Sequence, residues 1–243
     1  MIKVYIAGQK YFGWQTYELV KRLGIPVTGV SSPAYRNERL PLVDGKPTDK
    51  PDRLRDATNR DGVPWLEAGL LRAETLPEGT DLIIAAHSHD FIGRKTRRKA
   101  TLGAIGYHPS LLPLHRGRDA VRWAVRLRER VTGGSVFWLN DTVDGGPVAA
   151  QAHVLIRPEW DAATLWREAL QPLGLQLLAQ VLTDVQSGRL VKVPQDHALA
   201  TWEPALDPPA LYRPELPQLG ALPAGYRVEV ERLYPMDYMP ASM

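Results

Sequence analysis

The opening run Ile2–Ala7, "IKVYIA", is the feature that most constrains this chain. It is short, apolar and rich in β-branched and aromatic residues, as a buried strand requires, and Gly8 ends it. Phe12, Trp14, Tyr17, Leu19, Val20 and Leu23 then recur at mostly helical spacing, and Val27–Val30 reads as a second strand. Strand, glycine turn, helix and strand in this order make the repeating unit of a parallel sheet covered by helices. The predicted class is therefore α/β, a Rossmann-like, mostly parallel sheet with helices on both faces.

The rest of the chain supports that reading. Strands are expected at Val63–Trp65, Asp81–Ala86, Leu102–Tyr107, Gly134–Leu139 and Val148–Ile156. The last alternates as an edge or antiparallel strand does. Ser31–Thr48 reads as a polar loop and Pro51–Arg60 as a short helix. Helices are also expected over Arg118–Arg130, which is amphipathic, and over Asp161–Gly188, with Asp161 as N-cap. Beyond Gly188, prolines at 204, 208, 209, 214, 217 and 223 preclude long helices, and only Tyr226–Arg232 alternates like a short strand.

Composition narrows the function classes. With 243 residues, 44% hydrophobic, the chain can bury one sizeable core. The absence of cysteine excludes disulfides, thiolate catalysis and cysteine metal sites. A net charge of +3 is too weak to suggest nucleic acid without a local patch. The one basic cluster, "RKTRRK" at Arg94–Lys99, fits either a solvated helix start or a contact for an anionic substrate tail. No apolar stretch is long enough to span a bilayer, and the amino terminus lacks a signal-peptide pattern, so no membrane partner and a cytoplasmic location are expected. The loop "GQKYFG" after the first strand matches neither the dinucleotide fingerprint nor a P-loop.

In parallel sheets, ligands bind beyond the carboxyl ends of the strands. Ala86–Gly93, Tyr107–Gly117 and Asn140–Gly146 occupy such places, each placing polar residues directly after an apolar run. His108 can cap its strand or move a proton near neutral pH. Asp144, in "NDTVDGG", can form a turn or, if the loops converge, orient His108 and stabilise its cation. Ser110 follows Pro109 outside any nucleophile elbow and is assigned a backbone contact. His87 and His89 form a His-x-His pair, but no zinc-site pattern accompanies it, so lining a substrate pocket is preferred to metal ligation.

The motifs "HPSLLPLHRG" and "TGGSVFWLNDTVDGGPV" together resemble the formyltransferase family that uses 10-formyltetrahydrofolate. "IAGQKYFG" and "DGVPW" add a particular likeness to the amino-terminal hydrolase domain of 10-formyltetrahydrofolate dehydrogenase. The resemblance implies the formyltransferase fold over residues 1–190, with 191–243 as a short Pro-rich extension. It implies His108 and Asp144 as catalytic residues and 10-formyltetrahydrofolate as formyl donor. Ala86, His87, His89, Phe91 and Ile92 would line the pterin on one side, and Asn140, Asp141 and Val143 on the other. Phe91, Ile92 and Val143 would form apolar walls.

One position departs from the family pattern. Gly106 stands where an asparagine is usual, and the dehydrogenase's hydrolase domain departs there as well. Loss of one oxyanion donor costs about 3 kcal/mol, or roughly 100-fold in rate. The space left by glycine could take a water or a larger acceptor. The motifs also imply that neither the purine-pathway acceptor nor initiator tRNA is the substrate, since the compact phosphate loop and the carboxy-terminal barrel are missing. The acceptor expected is a small amine or an amino sugar. Hydrolysis to formate and non-catalytic folate binding are the alternatives, and a homodimer is compatible with either.

Overall fold

A computed structural model describes residues 1–33, 42–43, 46–47, 53–88, 90–204 and 206. The chain divides into two compact units, Met1–Ala205 and Leu206–Met243. The expected Tyr226–Arg232 strand lies outside the described residues, and residues 191–204 belong to the first unit.

The elements in chain order are β1 (Val4–Gly8), α1 (Lys10–Arg22), β2 (Val27–Ser32), β3 (Leu42–Val43), β4 (Lys46–Pro47), α2 (Arg53–Arg60), β5 (Trp65–Glu67) and β6 (Leu82–Ala86). They continue with α3 (Arg94–Lys99), β7 (Gly103–His108), α4 (Ala120–Arg126), β8 (Val131–Trp138), β9 (Val148–Leu155), α5 (Ala162–Leu165) and α6 (Gln171–Gln186). Seven strands form one sheet in the order β5-β2-β1-β6-β7-β8-β9. The first five are parallel to one another, β8 runs antiparallel to β7, and β9 runs antiparallel to β8. From β1 the chain builds outward through β2 and β5, then returns to β6 and builds the other way. The crevice that this reversal opens lies at the carboxyl ends of β1 and β6.

Strand alternation divides the core. Val4, Ile6, Ile84, Ile105 and Tyr107 pack on one face with Phe12 and Val20 of α1 and Leu178 and Val181 of α6. Tyr5, Ala7, Ile83 and Ala104 pack on the other with Leu71, Leu76, Ile92 and Ala100. Both faces are covered, so the parallel strands read as continuous apolar runs.

Several elements differ from their sequence patterns for identifiable reasons. The expected helix over 161–188 is interrupted: Asp161 caps α5 through Thr164 N, but Trp166–Leu170 form a π turn before α6 begins. Pro172 lies in the first turn of α6, and a proline there cannot donate to the preceding turn and crowds its carbonyls. The helix expected over Arg118–Arg130 is confined to Ala120–Arg126, because Asp119 and Arg128 adopt left-handed φ of 64° and 55°. Strand β8 begins three residues before the expected Gly134, since Gly133 permits a backbone approach that a side chain would block: a Cβ there would lie 2.2 Å from the Ala152 carbonyl oxygen. Within the expected 31–48 loop, β2 continues to Ser32 and β3 pairs with β4, while 34–41, 44–45 and 48 lie outside the described residues.

Tyr107 links the sheet to the π turn. Its buried hydroxyl donates to the Leu170 carbonyl at 2.6 Å, and burial pushes its ionisation well above the ordinary tyrosine value. Tyr107→Phe is expected to cost about 1 kcal/mol, the usual net value of one such bond. Urea denaturation at neutral pH measures it.

Candidate active site

Strand β7 ends at His108, beside the crevice at the end of β6. The His108 side chain is buried, with 7% of the residue exposed. Its Nε2 lies 2.6 Å from the main-chain oxygen of His115. A carbonyl can only accept, so Nε2 carries the hydrogen and donates. In the neutral ring, Nδ1 is then the bare nitrogen.

Asp144 approaches that nitrogen. Its Oδ2 lies 3.6 Å from His108 Nδ1, too far for a hydrogen bond but within ion-pair distance of a ring that carries a proton there. The same Oδ2 accepts the Gly117 amide at 2.7 Å. Asp144 has a left-handed φ of 48° and is tethered at its carbonyl by Gln195 Nε2 at 2.8 Å. The next two residues are glycines, and Gly146 is obligatory, because a Cβ there would lie 1.7 Å from the Trp138 carbonyl oxygen. The loop thus turns sharply enough to aim Asp144 back at β7. A neutral imidazole nitrogen beside an anchored carboxylate can accept a proton and hold it as a stabilised imidazolium.

Between them, the Leu-Leu-Pro turn is tied down by hydroxyl and amide groups. Ser110 Oγ donates to the Leu114 carbonyl, and Ser135 Oγ donates to the Ser110 carbonyl. Gln151 Nε2 donates to the Leu112 carbonyl. Ser110 makes the backbone contact expected of it.

The remaining sequence-derived residues are placed unevenly. Gly106 is two residues before His108 on β7. An added Cβ would lie 3.1 Å from Leu139 Cδ1 and 3.4 Å from Phe137 Cε1. Apolar side chains therefore stand directly beside the position a Cβ would take. Ala86 ends β6 with its carbonyl accepting Gln9 N at 3.3 Å, and His87 follows in a left-handed conformation, exposed, its ring edge-on to Trp166. His89 lies outside the described residues. Of the three expected walls, Phe91 and Val143 are 84% and 60% exposed, while Ile92 is buried in the core against Tyr5 and Ala100. Asn140 Oδ1 accepts Thr142 N, shaping the loop. Both oxygens of Asp141 are engaged, by Arg94 and by Arg97, the latter at 2.6 Å. The hydrogen bond from Arg94 holds the Asp141 carboxyl below the usual carboxylate range. The basic cluster 94–99 is helix α3, and two of its cations fasten the Asp141 loop.

Sequence reasoning missed the groups behind the pair. Gln195, Arg116, His115 and Thr201 are common residue types, and their contacts span long separations. Gln195 Oε1 accepts buried Arg116 at 2.6 Å, and Thr201 Oγ1 accepts His115 N at 2.7 Å. The left-handed φ of 53° at His115, a non-glycine residue, carries no sequence signal.

The sheet, crevice and paired loops define an α/β fold of the kind found in formyltransferases. The glycinamide ribonucleotide transformylase 1 of Symbiobacterium toebii superimposes with a TM-score of 0.65 at 22% identity, covering 81% of this chain and 95% of that one. An N-formyltransferase from Helicobacter canadensis, solved with folinic acid and dTDP-3-aminofucose, gives 0.64 at 15% identity, covering 84% and 71%. Residues 70–182 match the family described as formyl transferase. Among curated proteins, the human cytosolic 10-formyltetrahydrofolate dehydrogenase is 30% identical over 212 residues, 83% of this chain and 22% of that protein. The methionyl-tRNA formyltransferase of Lactobacillus delbrueckii subsp. bulgaricus is 31% identical over 186 residues, 76% and 54%. The chain thus spans about a fifth of the length of the dehydrogenases it matches. The match to the formyl transferase family takes in just under half of the chain, and the likeness to those dehydrogenases most of it. Among the described residues, no helix is long and apolar enough to cross a membrane.

Proposed function

We propose that this protein transfers the formyl group of 10-formyltetrahydrofolate to a small amine or amino-sugar acceptor. The observation that carries the proposal is the convergence of His108 Nδ1 and Asp144 Oδ2 to 3.6 Å at the carboxyl end of β7, beside the sheet's crevice. The acceptor nitrogen attacks the formyl carbon, and His108 Nδ1 takes the proton it sheds. Asp144 stabilises the resulting imidazolium. The tetrahedral intermediate collapses by breaking the bond to N10, and His108 returns the proton to the tetrahydrofolate nitrogen. The loops 86–92 and 140–144 hold the donor, and the folinic acid with which the Helicobacter enzyme was crystallised supports a folate-type donor. The amino sugar bound to that enzyme supports the acceptor class.

Hydrolysis is the second reading, with water as nucleophile. It is favoured by Gly106, which offers no side-chain donor to an oxyanion, and by the dehydrogenases of 10-formyltetrahydrofolate among the relatives. The deciding assay supplies 10-formyltetrahydrofolate with and without a panel of amines and amino-sugar nucleotides, and follows tetrahydrofolate, formate and N-formyl product. Tetrahydrofolate release that depends on an amine and yields its formamide is the expected result. Steady formate release without an acceptor assigns the hydrolase instead. Folinic acid binding with neither product overturns both and leaves a folate-binding protein.

A further inference from the structure

A single segment behind the site, residues 193–204, touches the supports of both His108 and Asp144. It follows α6 and lies outside the family match at 70–182. At one end, Gln195 Nε2 donates to the carbonyls of Asp144 and Gly146 at 2.8 and 2.6 Å. These two bonds grip the turn on either side of Gly145 and fix the unusual left-handed backbone of Asp144. Gln195 is in turn oriented from behind: its Oε1 accepts both Nε and Nη2 of Arg116, at 3.2 and 2.6 Å. Arg116 is buried, and its Nη2 also donates to His197 Nδ1 at 3.0 Å. An arginine always donates, so that His197 nitrogen is unprotonated and the amide of Gln195 has one permitted orientation.

At the other end, the segment holds His115. Thr201 Oγ1 accepts the His115 amide at 2.7 Å, and the Thr201 carbonyl accepts Arg116 N at 3.0 Å. The buried His115 ring lies between two carboxylates. Glu129 Oε1 is 2.8 Å from Nε2, and Glu203 Oε2 is 3.0 Å from Nδ1. The Glu203 contact is not a hydrogen bond, and the buried Nδ1 makes none. Pinned at amide and ring, residue 115 can present its carbonyl only toward His108 Nε2. That carbonyl selects the tautomer of His108: with the hydrogen on Nδ1, two lone pairs would face each other at 2.6 Å.

We infer that residues 195–203 form a positioning strap for the His108–Asp144 pair, with Gln195 setting Asp144 and Thr201 setting His108 through the carbonyl of His115. The inference rests on the proposed function, because it assigns the strap to that reaction. Its Thr201 arm concerns turnover rather than donor binding, since it touches neither loop assigned to the folate; its Gln195 arm grips Asp144, which ends the 140–144 loop, and so bears on both. Misplacing a reacting group by about 1 Å costs on the order of 100-fold in rate.

The test uses the full chain and three variants. Thr201→Val removes the hydroxyl at constant shape, Thr201→Ser restores it, and Gln195→Met removes both amide contacts at similar length. Thr201→Val and Gln195→Met are expected to lower kcat by about 100-fold. KM for 10-formyltetrahydrofolate should stay within about two-fold in Thr201→Val, and Thr201→Ser should recover most of the rate. Nitrogen-15 NMR of the His108 ring reports the tautomer without any turnover. It should show Nε2–H in the unmodified protein and Thr201→Ser, and a mixture of tautomers in Thr201→Val. Unchanged kcat and an unchanged His108 signal overturn the inference. So does a loss that merely follows a lower folded fraction, or one that Thr201→Ser shares. If the unmodified protein turns over no formyl donor, the proposed reaction fails, and the NMR comparison still decides whether the strap sets His108.

Discussion

His108→Ala is expected to lower turnover of 10-formyltetrahydrofolate by about 1,000-fold while folinic acid binding changes by less than about two-fold. The magnitude follows from what the ring does in the proposed reaction. The ring combines burial, a fixed tautomer and a neighbouring carboxylate at the carboxyl end of β7. Alanine removes the proton acceptor and the ring's bond to the His115 carbonyl, while Ser110, Ser135 and Gln151 still hold the turn around it. Asp144 also keeps its bond from Gly117, so the carboxylate remains in place without a partner to stabilise. Asp144→Asn keeps the shape and removes the charge, and a smaller loss is expected, since the 3.6 Å separation makes its contribution electrostatic rather than a direct proton transfer. Steady-state kinetics beside calorimetric titration with folinic acid separate the two effects. A loss below about tenfold in His108→Ala would remove the ring from the mechanism.

The site was legible in the sequence to the extent that it depends on residues near each other in the chain. His108 directly follows an apolar strand, and Asp144 sits in a turn marked by Gly145 and Gly146, so both declare their places locally. Continuous apolar runs likewise exposed β1, β6 and β7, and the alternation in 148–156 marked an antiparallel edge strand. What stayed hidden depends on distant partners. Gln195 bonds Asp144 and Arg116 across separations of 51 and 79 residues, and nothing in "VPQDH" announces either contact. The prolines of the carboxy-terminal region signalled an absence of long helix, which is correct for 193–204, but an irregular segment can still be tightly bonded. The π turn was hidden because Trp166, Leu170 and the residues of α6 preserve an apolar helical pattern straight through it. Gly106 declares a missing donor in the sequence, but its apolar neighbours Phe137 and Leu139 come from β8 and the residue just beyond it.

The largest effect on stability is expected at Gly174, in the first turns of α6. Helix propensity alone favours Gly174→Ala by about 1 kcal/mol. Packing opposes it. A Cβ at 174 would lie 2.6 Å from Cε1 of Tyr107 and 2.8 Å from Cζ, well inside contact distance. The ring cannot yield in the other direction, because Gly134 of β8 presses on its opposite edge, where a Cβ would lie 2.4 Å from the hydroxyl. The ring is also fixed by its bond to the Leu170 carbonyl and by Phe12, 5.3 Å away between centroids. Overpacking of a site that cannot relax costs about 3 kcal/mol net, which for a chain of this size lowers Tm by roughly 6–12 °C. Thermal unfolding of Gly174→Ala tests this, and the same substitution beside Tyr107→Ala isolates the cause. With the ring gone, the alanine should become neutral or stabilising, as its helix propensity dictates. A raised Tm in the single variant, or equal losses in both backgrounds, would show that the ring is not what requires glycine. Tyr107 immediately precedes His108 on β7, so strain introduced at Gly174 passes along one strand to the proposed proton acceptor. Gly174→Ala should therefore lower turnover even at temperatures where the protein remains folded.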